Sequence, residues 1–303
     1  TAVAPLIGVM VFYELLQVKE SPANLKYPYI FLTLFFVLLA FMIWKFLKIK
    51  EDDITVHDSG GKLFALNHLN LIFGMLAIFF YVGSEVTIGT NLVSFLSDPL
   101  TVNLQESVAG KLLAFYWGGA MIGRFLGSVA LSDSKAVKKL VLMVLISIAL
   151  TAFLVYSIGN VELKLVYYVA FQALAIILLL ACKSSARMNL VLFSLVNIAN
   201  LIVAMMMANT MFAAWAILSI GIFNSVMWPN IFDLGIANLG KYKEQGSSLL
   251  VMMILGGALL PLVQGYIADI GNIVDSYWVP VFGYAYILCY GLFYSQRKLN
   301  WIK

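Results

Sequence analysis

Apolar runs of about twenty residues follow one another from end to end of this chain, and that is the helix length needed to cross about 30 Å of hydrocarbon. This spacing fixes the fold class before any single residue is weighed. In lipid each backbone polar group must be satisfied within its own segment, so each run folds as a helix. A membrane barrel would show alternating segments of about ten residues instead. Composition agrees: 62% of the residues are hydrophobic and 11% charged, with a mean hydropathy of +0.96. A soluble domain carries far more charge. The expected fold is all-α, a polytopic transmembrane helical bundle.

The runs lie near 1–17, 27–47, 70–96, 110–131, 137–158, 164–182, 187–208, 210–236, 246–269 and 276–296, about ten membrane segments in all. The longest polar stretch, KIKEDDITVHDSGGKLFALNH, runs from Lys48 to His68 and is the natural boundary between two bundles. With that stretch in the cytoplasm and every run crossing, fifteen of the 19 lysines and arginines fall on the cytoplasmic side. The carboxy-terminus is then cytoplasmic. The chain opens on Thr1 inside an apolar run, shows no signal-peptide pattern, and reads as cut within a transmembrane helix.

Glu85 sits near the middle of FFYVGSEVTIGTNLVSFL, residues 79–96. A carboxylate at membrane depth is costly unless it is protonated, paired or wetted. It marks either a site that faces a cavity or a structural carboxylate paired with a cation such as Arg124. Tyr81 lies one turn before it on the same face. In YWGGAMIGRFLGS, Gly119, Gly123 and Gly127 recur every four residues and let a neighbouring backbone approach, which is chiefly a packing device. Arg124 stands beside that stripe as a snorkelling cation or a gating latch, and Trp117 lies two turns deeper. In FNSVMWPNIFDLGI, Asn224 and Trp228 share a face, and Pro229 removes the hydrogen bond to the Ser225 carbonyl. An amide beside an indole at a kink suits a sugar, whose hydroxyls need donors and acceptors and whose apolar face packs on a ring. Gln264 follows Pro261 by about one turn in GGALLPLVQG and is a second midplane amide. Asn91 is a weaker candidate, and Gln172, Asn197 and Asn200 read as interhelical glue.

Cys182, Cys289, His57 and His68 form no metal-ligand spacing. No phosphate loop, H-E-x-x-H or G-x-S-x-G occurs. No cofactor, metal or enzymatic activity is expected, and an ion gradient is the expected energy source for any transport.

FFYVGSEVTIGTNLVSFL, YWGGAMIGRFLGS, FNSVMWPNIFDLGIANLGKYKEQGSSLLVM and GGALLPLVQGYIAD together resemble the fucose–galactose–glucose:proton symporters of the major facilitator superfamily. The resemblance covers most of the chain from Gly74 to Tyr294 and implies two six-helix bundles with alternating access. It makes residues 1–47 the last two helices of the amino-terminal bundle, 48–69 a cytoplasmic loop and 70–303 the carboxy-terminal bundle. Two further runs, near 164–208, depart from the family pattern; lipid-facing padding and a subunit contact are both open for them. The resemblance implies proton symport of a neutral monosaccharide into a bacterium across its inner membrane by a monomeric carrier that binds no nucleic acid. Tyr81, Glu85, Trp117, Asn224, Trp228 and Gln264 would then line the sugar site. The family's proton-coupling acids lie in its first and fourth helices, so no residue here takes that role. A carrier of another small solute, such as an amino sugar or nucleoside, and a non-transporting membrane sensor or scaffold are the alternatives.

Overall fold

The computed structural model describes residues 26–46, 64–158, 164–182 and 185–293. The expected run at 1–17 lies outside those residues, as does most of the polar stretch after it. Regular structure among the described residues is helical: α1 (Lys26–Phe46), α2 (Leu69–Ser97), α3 (Glu106–Leu131), α4 (Ala136–Ile158), α5 (Leu165–Ala181), α6 (Ala186–Met206), α7 (Met211–Asn224), α8 (Met227–Ile236), α9 (Lys243–Met252), α10 (Gly256–Ile270), α11 (Ile273–Ser276) and α12 (Trp278–Phe293). Among them, seven stretches are long and apolar enough to cross a membrane: α1, α2, α3, α4, α6, the α7–α8 pair and the stretch from Gly240 through α10. α5 is apolar but has 17 residues, and α12 has 16. The chain is an integral membrane protein.

The chain divides into two compact units. The first, residues 4–64, is described chiefly by α1, which is apolar all round, as expected of a helix immersed in lipid. The second begins at Ala65 and holds the candidate site.

In the second unit α2 is central, packed against α3, α8, α10 and α12. α7 lies between α3 and α6, and α6 also packs against α8 and α12. The buried share of each span ranks them: 78% for α7–α8 and 61% for α3, but 22% for α4, which leans mainly on α3.

Glycines set the closest approaches. Gly221 of α7 lies against the main-chain carbonyl of Tyr116, and Gly123 of α3 lies against Ser225 and the carbonyl of Ile222. A Cβ at either position would run into those atoms. Gly119 and Gly127 face Ile222 and Val226, so the stripe read from the sequence is a packing surface for α7 and the turn that follows it.

That turn is the break between α7 and α8. Pro229 was expected to free the Ser225 carbonyl within one kinked helix. Instead, α7 ends at Asn224, and α8 begins at Met227. Pro229 thereby falls in the first turn of α8, where its missing N–H costs nothing. Helix α10 tolerates Pro261 in its interior and approaches α2 through Gly256, which lies against the Phe79 carbonyl.

The two runs near 164–208 are α5 and α6, and each packs one face into the bundle. α5 buries Tyr168 in a cluster with Phe115 and Trp215, at ring separations of 5.1 and 5.5 Å. The Tyr168 hydroxyl donates to the Phe115 carbonyl at 2.9 Å. α6 is a full member of the bundle, capped at its start by the Ser185 hydroxyl, which accepts from the Met188 N–H.

Candidate functional site

Asn224, the last residue of α7, is fully buried, and both its main-chain carbonyl and its side-chain amide are engaged. The break frees its main-chain carbonyl, which an unbroken helix would have given to the N–H of Trp228. Tyr81 of α2 donates its hydroxyl to that carbonyl at 3.1 Å. The side-chain Oδ1 accepts from the Tyr284 hydroxyl of α12 at 2.8 Å and from Nδ2 of Asn197 on α6 at 3.0 Å. The side-chain Nδ2 donates to the Tyr116 hydroxyl of α3 at 3.3 Å. Tyr116 in turn donates to the main-chain carbonyl of Glu85 at 2.8 Å. Five helices thus meet at one residue, Asn224, and the glycine contacts between α3 and α7 bring Tyr116 to its side-chain amide.

Glu85 is half-buried one turn beyond Tyr81. Tyr81 lies within hydrogen-bonding reach of its carboxyl group, and the charge of Arg124, itself exposed on α3, acts on it. Its Oε1 is buried and accepts no hydrogen bond. A buried acceptor left in that state costs about 1–3 kcal/mol, more when charged. The surrounding tyrosine protons are already committed to carbonyl oxygens and to Asn224. The indole of Trp117 adds an apolar wall: it lies across Gly89, one turn beyond Glu85, and edge-on to Tyr116 at 5.2 Å. Any side chain at position 89 would collide with that ring. An unsatisfied acceptor beside a ring face suits a group that brings a hydroxyl donor and an apolar face.

No family model matches the chain. A glucose/galactose transporter of Brucella abortus biovar 1 (strain 9-941) is 33% identical over 305 residues, covering 98% of this chain and 60% of that protein. The L-fucose-proton symporter of Escherichia coli (strain K12) is 25% identical over 288 residues, covering 91% of this chain and 53% of that protein. The crystal structure of the major facilitator superfamily transporter FucP, in the outward conformation, superposes with a TM-score of 0.59 at 22% identity, covering 90% of this chain and 55% of that one. The chain shares the fold of that transporter. Both of these relatives are named as transporters, not enzymes, and the chain spans less than two thirds of their length.

The structure gathers Tyr81, Glu85, Trp117 and Asn224 around one cluster. It does not bring Trp228 or Gln264 into the same hydrogen-bonded group. Trp228 stacks on Phe232 at 5.0 Å within α8. Gln264 is fully buried but donates to Ser276 in α11 at 3.1 Å, with its Oε1 unsatisfied. Asn91 bonds the Thr87 carbonyl of its own helix. Gln172 and Asn200 are interhelical ties, to Thr151 and Ser219. Asn197, read as glue, is an interhelical tie as well, from α6 to the central amide on α7. Tyr116 and Tyr284 escaped the sequence reading altogether. Their signal was position: tyrosines concentrate at membrane interfaces, so one buried at mid-span needs a polar partner.

Among the described residues no group of three or more His, Cys, Asp or Glu side chains stands together to hold a metal ion. A cleft of about 700 Å³ between α4 and α5, lined by Ser147, Thr151 and Gln172 among apolar residues, contains none of the site residues.

Proposed function

We propose that this chain is part of a secondary active transporter that carries a neutral monosaccharide of the glucose, galactose or fucose type, coupled to protons, by alternating access. The membrane would be the bacterial inner membrane, with the carboxy-terminus in the cytoplasm. The observation that carries the reading is the unsatisfied Oε1 of Glu85, buried beside a tyrosine–asparagine cluster and the Trp117 ring. A sugar hydroxyl supplies the donor that this oxygen lacks, and a pyranose face packs on the indole. The names of the relatives, sugar transporters and a sugar–proton symporter, support the same substrate class and the coupling ion. The site is Tyr81, Glu85, Trp117 and Asn224, extended by Tyr116 and Tyr284.

The test is uptake of labelled D-glucose, D-galactose and L-fucose into proteoliposomes containing the full-length gene product, with and without an inward proton gradient. Uptake of one of them, accelerated by the gradient, is the expected result. Binding without counterflow would make the protein a sensor, and uptake indifferent to the gradient would remove the proton coupling.

A further inference from the structure

We propose that the cleft between α4 and α5 is a second binding site, one that takes from the bilayer an uncharged, elongated apolar molecule with a hydroxyl or carbonyl group partway along it. The inference stands apart from the sugar reading, since the cleft contains none of the sugar-site residues.

The cleft has a volume of about 700 Å³, inside the range of small-molecule sites, about 300–1,000 Å³. Its lining follows α4 from Val144 to Tyr156 and α5 from Leu165 to Ile176. At about 1.5 Å per residue these are lengths of about 18 and about 17 Å. Hydrocarbon is about 30 Å thick, so the cleft serves roughly one leaflet, starting where α4 stops and α5 begins. A transmembrane helix needs a groove along its whole length. A molecule that lies within one leaflet does not.

Every residue that lines the cleft is uncharged, which selects a neutral occupant. Ser147, Thr151 and Gln172 are nevertheless polar, and each is more than nine-tenths buried. Ser147 is the middle residue of α4, and Gln172 lies one residue from the middle of α5. That is mid-depth in the bilayer, beyond the reach of water and of lipid headgroups. Gln172 Nε2 donates to Thr151 Oγ1 at 2.7 Å, and the Tyr168 hydroxyl is its other partner. A primary amide has four hydrogen-bonding positions, so two stay unused whichever way it is turned. Ser157, farther along α4, returns its hydroxyl to the Phe153 carbonyl four residues back, at 2.8 Å. Ser147 makes no such bond, and its Oγ has no partner. Uncommitted polar groups are costly in hydrocarbon. A phospholipid chain brings no hydrogen-bonding atom to that depth. A hydroxyl or carbonyl on an apolar chain does.

Methyl ricinoleate carries a hydroxyl well down its chain, and methyl oleate is its match without one. The experiment titrates each ester into the detergent-solubilised full-length protein and reads the melting temperature, which rises as ligand binds the folded form. The hydroxylated ester should bind more tightly by up to about tenfold, the scale of one net hydrogen bond. Thr151→Val and Gln172→Leu remove the polar row and should bring the two esters together while binding of the plain ester persists. Ala173→Trp fills the cleft and should abolish the shift with both. Size-exclusion profiles establish which variants fold, and Thr151→Val alone suffices should Gln172→Leu not. Equal shifts in the wild type would make the cleft a groove for lipid chains, and no shift would deny it a ligand; either overturns the proposal. So would a wild-type dimer that Ala173→Trp converts to a monomer, because a second copy of the chain would then cover the cleft.

Discussion

Tyr81 donates its hydroxyl across 3.1 Å to the main-chain carbonyl of Asn224, 143 positions away in the sequence. The bond exists because α7 stops at Asn224 and leaves that carbonyl without its helical partner. Tyr81→Phe removes the donor and strands a fully buried acceptor. The expected loss is about 1–3 kcal/mol of stability, read as a lower midpoint in thermal unfolding of the detergent-solubilised protein. An unchanged midpoint would mean that the carbonyl finds another donor.

Glu85→Gln keeps the size of the side chain but replaces one carboxylate oxygen with a donor. A hydrogen bond to a charged group is worth about 1.5–3 kcal/mol, so sugar affinity should fall by about ten- to a hundredfold. Titration calorimetry with D-galactose or D-glucose measures this directly. Proton-independent exchange should remain detectable in vesicles. Wild-type affinity in the variant would remove Glu85 from the site.

Gly123→Ala tests the approach of α3 to α7. The added Cβ would meet Ser225 and the Ile222 carbonyl, and main chain cannot step aside cheaply. Overpacking of this kind costs about 1–3 kcal/mol. Gly110→Ala is the control on the same helix, since nothing lies within 4 Å of its Cβ position. Alanine there should stabilise by up to about 1 kcal/mol through helix propensity. Opposite shifts in melting temperature are expected, and equal shifts would contradict the packing.

Arg187 of α6 binds the last turn of α12, with Nε donating to the Gly291 carbonyl at 2.8 Å and Nη2 to that of Leu292 at 2.7 Å. These carbonyls close a helix, where cations are favoured and partners are scarce. Arg187→Met keeps the apolar stem and removes both donors. Hydrogen exchange at the amides of the last turn of α12 should accelerate, while the middle of the helix stays protected. Uniform protection would show that the cap carries no weight.

Trp117 and Asn224 could be nominated from the sequence because each sat in an otherwise apolar run beside glycine or proline. Glu85 stood out because a carboxylate at that depth has few innocent explanations. Trp228 and Gln264 met the same criteria, yet their partners proved to be local: a ring one turn away and a serine twelve residues on. Helical spacing says which residues share a face, but not which neighbouring helix covers it.

The sequence by itself determined that this is an integral membrane protein built of apolar helices, because solvation in hydrocarbon is a property of composition and run length. It also marked Glu85 as the group needing an explanation. Only the tertiary structure decided where α7 breaks, which tyrosines meet at Asn224, and that α6 belongs to that junction. Those facts depend on contacts between helices far apart in the chain, made where glycines allow two backbones to touch. No periodicity within a single segment records them.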